Sequence, residues 1–214
     1  MSKLILIILF FAVFYCELIS DDEYEDYKPQ KPENVMRELD ENPTINTILN
    51  RKSVRHFTSR TVSKDTLLKI VKAGMAAPTA VNMQPWSFVI VTEREILDKL
   101  ANELPYAKML FSAPSAIIVC ALPESAFHEK PLEYSIIDCS AATENILLAC
   151  EAMGLGAVWT AVYPQEPRIK TVRTILNIPE KIIPLNVIPI GYPTGEDLPK
   201  DKWKPEKIKW QKWE

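Results

Sequence analysis

An α+β fold is predicted by three features of this sequence. Four apolar runs have the length and β-branched content of buried strands. Five other segments carry helical periodicity, caps or helix-stop signals. The two kinds follow one another without the regular strand–helix–strand rhythm of a doubly wound sheet. With 214 residues, 47% hydrophobic and 25% charged, the chain is long enough for one domain with a self-sufficient core. Its net charge of −3 gives no general attraction for nucleic acid, so nucleic acid is not an expected partner.

Taken in order, "TINTILNRKS" is a short helix whose polar end delivers a basic cluster. Ser63 can cap a helix running to about Ala76, with Leu67, Leu68, Val71 and Met75 as its apolar stripe and Pro78 discouraging continuation. "SFVIVT" reads as a buried strand. Thr92 and Glu95 form a capping box for the helix "EREILDKLANEL". "SAIIVCAL" is the second strand, and Asp138 to Met153 is a long helix rich in small residues, stopped by Gly154. "GAVWTAV" is the third strand, "PRIKTVRTIL" a helix, and "LNVIPIGY" the fourth strand. A tail rich in proline and lysine follows, with Trp203, Trp210 and Trp213 expected to pack on a surface, such as a neighbouring subunit.

The N-terminus reads differently. Lys3 precedes the apolar run Leu4 to Cys16, too short for an ordinary membrane span but matched to a signal-peptide core. Residues 1–20 are therefore expected to be a signal peptide or short anchor, placing the protein outside the cytoplasm or on a membrane. If that reading is wrong, it is cytoplasmic. Residues 21–42 are acidic, hold two prolines and lack an apolar period, which reads as a linker, and the domain proper is 43–214. Cys16, Cys120, Cys139 and Cys150 form no CxxC pair, and His56 and His128 have no ligand spacing, so neither a disulfide framework nor a metal site is expected.

Three polar clusters could carry chemistry. "NRKSVRHF" supplies Arg51, Lys52, Ser53 and Arg55, a set of forks, point charge and hydroxyl suited to a phosphate-sized anion, although a basic helix end is more often a solvated surface. "APTAVNMQPWSF" places Pro78, Thr79, Asn82 and Gln84 between a finished helix and a coming strand. Its amides could read the donor and acceptor edge of a heterocycle, or simply make turns. Lys200 and Lys202 lie in the tail after "IGYP". "GLGAVW" lacks a third glycine and runs into a strand, so it is no dinucleotide fingerprint.

In order and spacing, "NRKSVRHF", "APTAVNMQPWSFVIV", "AATENILLACEAMGLGAVWTAV", "LNIPEKIIPLNVIPIGYP" and "PKDK" resemble the nitroreductase family of FMN-dependent NAD(P)H oxidoreductases. The resemblance covers roughly Ile45 to Ile208. It implies a central, mostly antiparallel sheet flanked by helices in an intertwined homodimer, with FMN as cofactor and NADH or NADPH as reductant. It further implies that Arg51, Ser53 and Arg55 hold the phosphate and ribityl chain, that Lys52 contributes its backbone, and that Lys200 and Lys202 close on the same phosphate. Pro78, Thr79, Asn82 and Gln84 would border the isoalloxazine, from a loop commonly supplied by the partner subunit. Trp159, Thr160 and Ala161 would set a strand end against the flavin. No side chain is implied as catalytic, because the flavin carries the hydride to a small acceptor such as a nitroaromatic or quinone. Two alternatives stay open: a flavin-binding protein without turnover, and a membrane-anchored reductive dehalogenase of the same family.

Overall fold

A computed structural model describes residues 42–213 of the chain; the expected leader, nearly all of the linker, and Cys16 lie outside the described residues. Helix α1 spans Pro43–Asn50 and α2 Lys64–Gly74. Strand β1 spans Trp86–Val91, α3 Arg94–Glu103, β2 Ser115–Ala121 and α4 Pro131–Ala152. Two-residue strands β3 (Gly156–Ala157) and β4 (Thr160–Ala161) precede α5 (Glu166–Leu176) and β5 (Ile183–Gly191). The strands form one antiparallel sheet in the order β1-β2-β5-β3, with β4 also on β5.

Central strand β2 is buried along its whole length because helices cover both faces of the sheet. Its residues alternate accordingly. Ala116, Ile118 and Cys120 join Leu97 and Leu100 of α3 and Ile169 and Val172 of α5 in one apolar layer. Ile117, Val119 and Ala121 join Leu67 and Ile70 of α2 and Cys139, Ile146 and Cys150 of α4 in the other. Each fully buried Leu or Ile here contributes about 1.5–3 kcal/mol. Cys120, Cys139 and Cys150 are free and buried, as small core residues; burial pushes each thiol up to about 12, so none is a thiolate at neutral pH.

Several local expectations need correction. Ser63 does cap α2, accepting from the Thr66 N–H at 3.2 Å. The stripe of α2, however, is Leu67, Ile70, Val71 and Gly74, and Leu68 and Met75 face outward. Thr92 does not cap α3: Glu93 holds that position without a side-chain bond, so no capping box forms. Helix α4 starts seven residues earlier than expected, at Pro131, and ends where Gly154 takes a positive φ of 69°. The expected third strand is split. Ala157 pairs with Ile190 and Thr160 with Val187 in a single register, and the residue facing Val158 in that register is Pro189, which has no N–H to give.

Candidate functional site

The basic segment leaves α1 with the Arg51 N–H still bonded to the Thr47 carbonyl at 3.0 Å. It then lies along β3: Ser53 bridges Ala157, and the Val54 N–H donates to the Ala157 carbonyl at 3.0 Å. Val54 is fully buried, and the contact requires glycine at 156, because a Cβ there would stand 2.5 Å from Val54 Cγ1. Burying Val54 and Phe57 leaves Arg55 and His56 exposed between them. Arg51 Nε meets Glu144 at 3.2 Å, and Lys52 Nζ meets Glu151 at 2.8 Å. The two glutamates are seven residues apart on α4, about two turns, and so share a face. A guanidinium carries five N–H donors, so Arg51 paired with Glu144 through Nε can still donate to a further acceptor.

The chain after β5 returns to the same place. Thr58 N–H donates to the Tyr192 carbonyl at 2.9 Å, and Thr194 N–H to the His56 carbonyl at 3.1 Å. Asp197 Oδ2 accepts from the backbone N–H of Arg55 at 2.8 Å and of His56 at 3.1 Å, and lies 3.1 Å from His56 Nδ1. Burial tends to raise the Asp197 carboxyl, but the hydrogen bonds from Arg55 and His56 outweigh it and hold the group below the usual carboxylate range. Lys200 follows Asp197 by three residues, a reach of at most about 10 Å. Lys200 and Lys202 are exposed and make no ion pair among the described residues.

The amide loop docks elsewhere. Ala80 N–H donates to the buried Asp138 carboxylate at 3.2 Å, Gln84 N–H to Thr79 Oγ1 at 3.1 Å, and Gln84 Nε2 to Asn82 Oδ1 at 2.9 Å. Val81, Asn82 and Gln84 all have positive φ, of 42°, 60° and 54°. Left-handed backbone costs non-glycine residues about 1–2 kcal/mol each. A loop held in that shape by Asp138 at one end and β1 at the other is preorganised, and both amides are exposed. Asp138 lies six residues before Glu144 on α4, hence about 120° round the helix from it. The amide loop and the basic segment thus dock on different flanks of one helix.

At the sheet edge, Trp159 is half-buried, Thr160 buried and Ala161 exposed. Asn186 Nδ2 donates to Thr143 Oγ1 at 2.9 Å, but Asn186 Oδ1 and Thr160 Oγ1 are buried without a partner. The structure therefore joins Arg51, Lys52, Ser53 and Arg55 to the strand edge and to the root of the Lys200–Lys202 tail. It sets Pro78, Thr79, Asn82 and Gln84 on the other flank of α4. The donor set of two guanidiniums, a hydroxyl and two free ammoniums fits a phosphate monoester. Sequence reasoning missed Asp138, Glu144, Glu151 and Asp197, the acidic residues that hold these parts in place. Only Glu144 and Glu151 carried a signal, their seven-residue spacing on a predicted helix.

The sequence profile of the nitroreductase family matches residues 48–105 and 100–192. A relative from Archaeoglobus fulgidus with the provisional name NADH dehydrogenase/NAD(P)H nitroreductase is 42% identical over 172 residues, 79% of this chain and 98% of its own. A crystal structure of a protein with the same provisional name from Parabacteroides distasonis superposes with a TM-score of 0.75 at 48% identity, covering 80% of this chain and 99% of that one. A protein from Desulfovibrio desulfuricans, described as a nitroreductase in complex with FMN, superposes with a TM-score of 0.69 at 26% identity, covering 81% and 99%.

Proposed function

The chain belongs to the nitroreductase family, and on that premise we propose that it is an NAD(P)H-dependent oxidoreductase that uses FMN to reduce a small oxidised acceptor, such as a nitroaromatic or a quinone. The observation that carries this reading is the meeting of the stretch Arg55–Thr58 with Tyr192–Asp197, which brings the root of the Lys200–Lys202 tail to the end of the basic segment. When bound, FMN supplies the chemistry, accepting hydride from NADH or NADPH and passing it to the acceptor that replaces the nicotinamide.

The chain's own residues bind and orient. Arg51 offers its terminal nitrogens to the phosphate while Glu144 steadies its Nε, and Arg55, Ser53, Lys200 and Lys202 complete the anion site. Lys52 acts through its backbone, since its ammonium is held by Glu151. Asn82 and Gln84, fixed to each other, meet the heterocycle edge, and Trp159, Thr160 and Ala161 border its reacting face. The docking of the two parts on different flanks of α4, about 120° apart, supports a homodimer in which the amide loop of one subunit serves the phosphate site of the other. Exposed Ile137 and Ala152 and half-buried Ala141 and Leu148 also line an outward stripe of α4, apolar except for Glu144, which a second copy would cover. Only Leu104 to Pro114 connect α3 to β2, too short a stretch for a lid over an amino-acid substrate, which disfavours the dehalogenase reading. Residues 1–20 as leader and 21–42 as linker belong to the same proposal; no helix among the described residues is long and apolar enough to cross a membrane.

Purified full-length protein should be yellow, and anaerobic NADH or NADPH should bleach it in stopped flow. Flavin that stays oxidised would leave a binding protein without turnover. Charge-assisted bonds to phosphate are worth about 1.5–3 kcal/mol each, so Arg51→Ala should weaken FMN binding by roughly ten-fold or more. Unchanged occupancy in that variant would remove Arg51 from the site.

A further inference from the structure

We propose that Asp197 is a positioning residue for the phosphate end of the site, clasping the head of the tail to the backbone of Arg55 and His56 so that Lys200 and Lys202 reach the anion. This rests on the FMN reading above. One carboxylate oxygen, Oδ2, faces three nitrogens, the backbone N–H of Arg55 and His56 and the His56 ring. The side chain is only 15% exposed although it lies on a surface segment. Among the described residues, Asp197 is the last toward the C-terminus with a hydrogen bond to the body of the domain; beyond it the bonds are local, such as Trp203 N–H to Asp201 Oδ1 at 2.9 Å and Ile208 N–H to the Pro205 carbonyl at 3.0 Å. Without the clasp, Lys200 and Lys202 hang from a chain tied by one backbone bond at Thr194 and by an exposed contact of Glu196 with His56 Nε2 at 3.9 Å. A carboxylate beside a phosphate site repels the ligand it adjoins, so its position makes physical sense only if the geometry it imposes outweighs that repulsion.

The two effects predict opposite outcomes. Full-length wild type, Asp197→Asn and Asp197→Ala are titrated with FMN and with riboflavin, which lacks the phosphate, by flavin fluorescence. Under the proposal, FMN binding weakens about ten-fold in Asp197→Ala and less in Asp197→Asn, whose amide oxygen still accepts a backbone N–H. Riboflavin binding stays within about two-fold in both, which a merely misfolded variant would not permit. In a Lys200→Ala background, Asp197→Ala adds little further loss, because the clasp acts through that lysine. FMN binding that is unchanged or tighter in Asp197→Asn overturns the proposal, as does an equal fall for riboflavin. Wild type that binds neither flavin removes the FMN reading and this proposal together; wild type that binds FMN while the variants match it removes this one alone.

Discussion

Asp138 and Asp197 are two aspartates that hold backbone N–H groups, yet their environments push them in opposite directions. Burial raises the Asp138 carboxyl above its usual range, with the Ala80 N–H pulling the other way. Between the unfolded value, about 3.9, and the raised folded value, the native state holds more protons, so stability falls as pH rises through that window. Asp138→Asn keeps an acceptor for Ala80 and sheds the charge. It should melt at the same temperature as wild type or higher at pH 7, and the two should converge below about pH 4. Asp138→Ala strands the Ala80 N–H and should lose about 1–3 kcal/mol in urea unfolding. An Asn variant as weak as the Ala variant would show that the charge itself is needed. For Asp197 the sign reverses: its depressed carboxyl contributes above the unfolded value and loses that contribution as pH falls through the folded one. Neither aspartate could be read from the sequence, since the pair Arg55–Asp197 spans 142 positions and neither end marks the other.

Elements were legible where the signal is local. The Ser63 cap, the stop at Gly154 and the unbroken apolar run of β2 each state their consequence within a few residues. Leu68 and Met75 were misplaced because an apolar residue flanking a stripe fits a helical period as well as one inside it, and only packing against α4 selects Ile70 and Gly74. The split of the third strand was invisible because its cause, Pro189, sits on another strand. The basic segment depends on that edge. Gly156→Ala should push Val54 off β3, at a cost of about 1–3 kcal/mol for overpacking, and weaken FMN binding with it. Val54→Gly removes the methyls and also the Val54 Cβ, which would itself stand 2.6 Å from the new Cβ, so the Val54→Gly, Gly156→Ala double variant should be less destabilised than the sum of the singles by more than about 0.5 kcal/mol in urea melts. Additive losses would mean that the close approach of Val54 and Gly156 is not what fixes the segment.

At the scale of the whole molecule, the tail from Pro199 to Trp213 is exposed throughout. Trp203, Trp210 and Trp213 are 71%, 79% and 89% exposed in the single chain, so the packing expected of them would have to come from another molecule. Large aromatics bury about 150–250 Å² each once covered. A second copy would provide that cover and would also meet the outward stripe of α4. Deleting Pro205 to Glu214 should therefore weaken dimerisation and FMN retention together, and sedimentation of the intact protein at micromolar concentration should show a dimer. A flavin-loaded monomer would sink this arrangement. The two flanks of α4 then acquire a further meaning. In a two-fold pair, each copy of this 22-residue helix steadies Arg51 of one site through Glu144 and the amide loop of the other through Asp138. In the proposed dimer the same rod would belong to both sites, so a substitution that shifts α4 would disturb both halves of the pair at once.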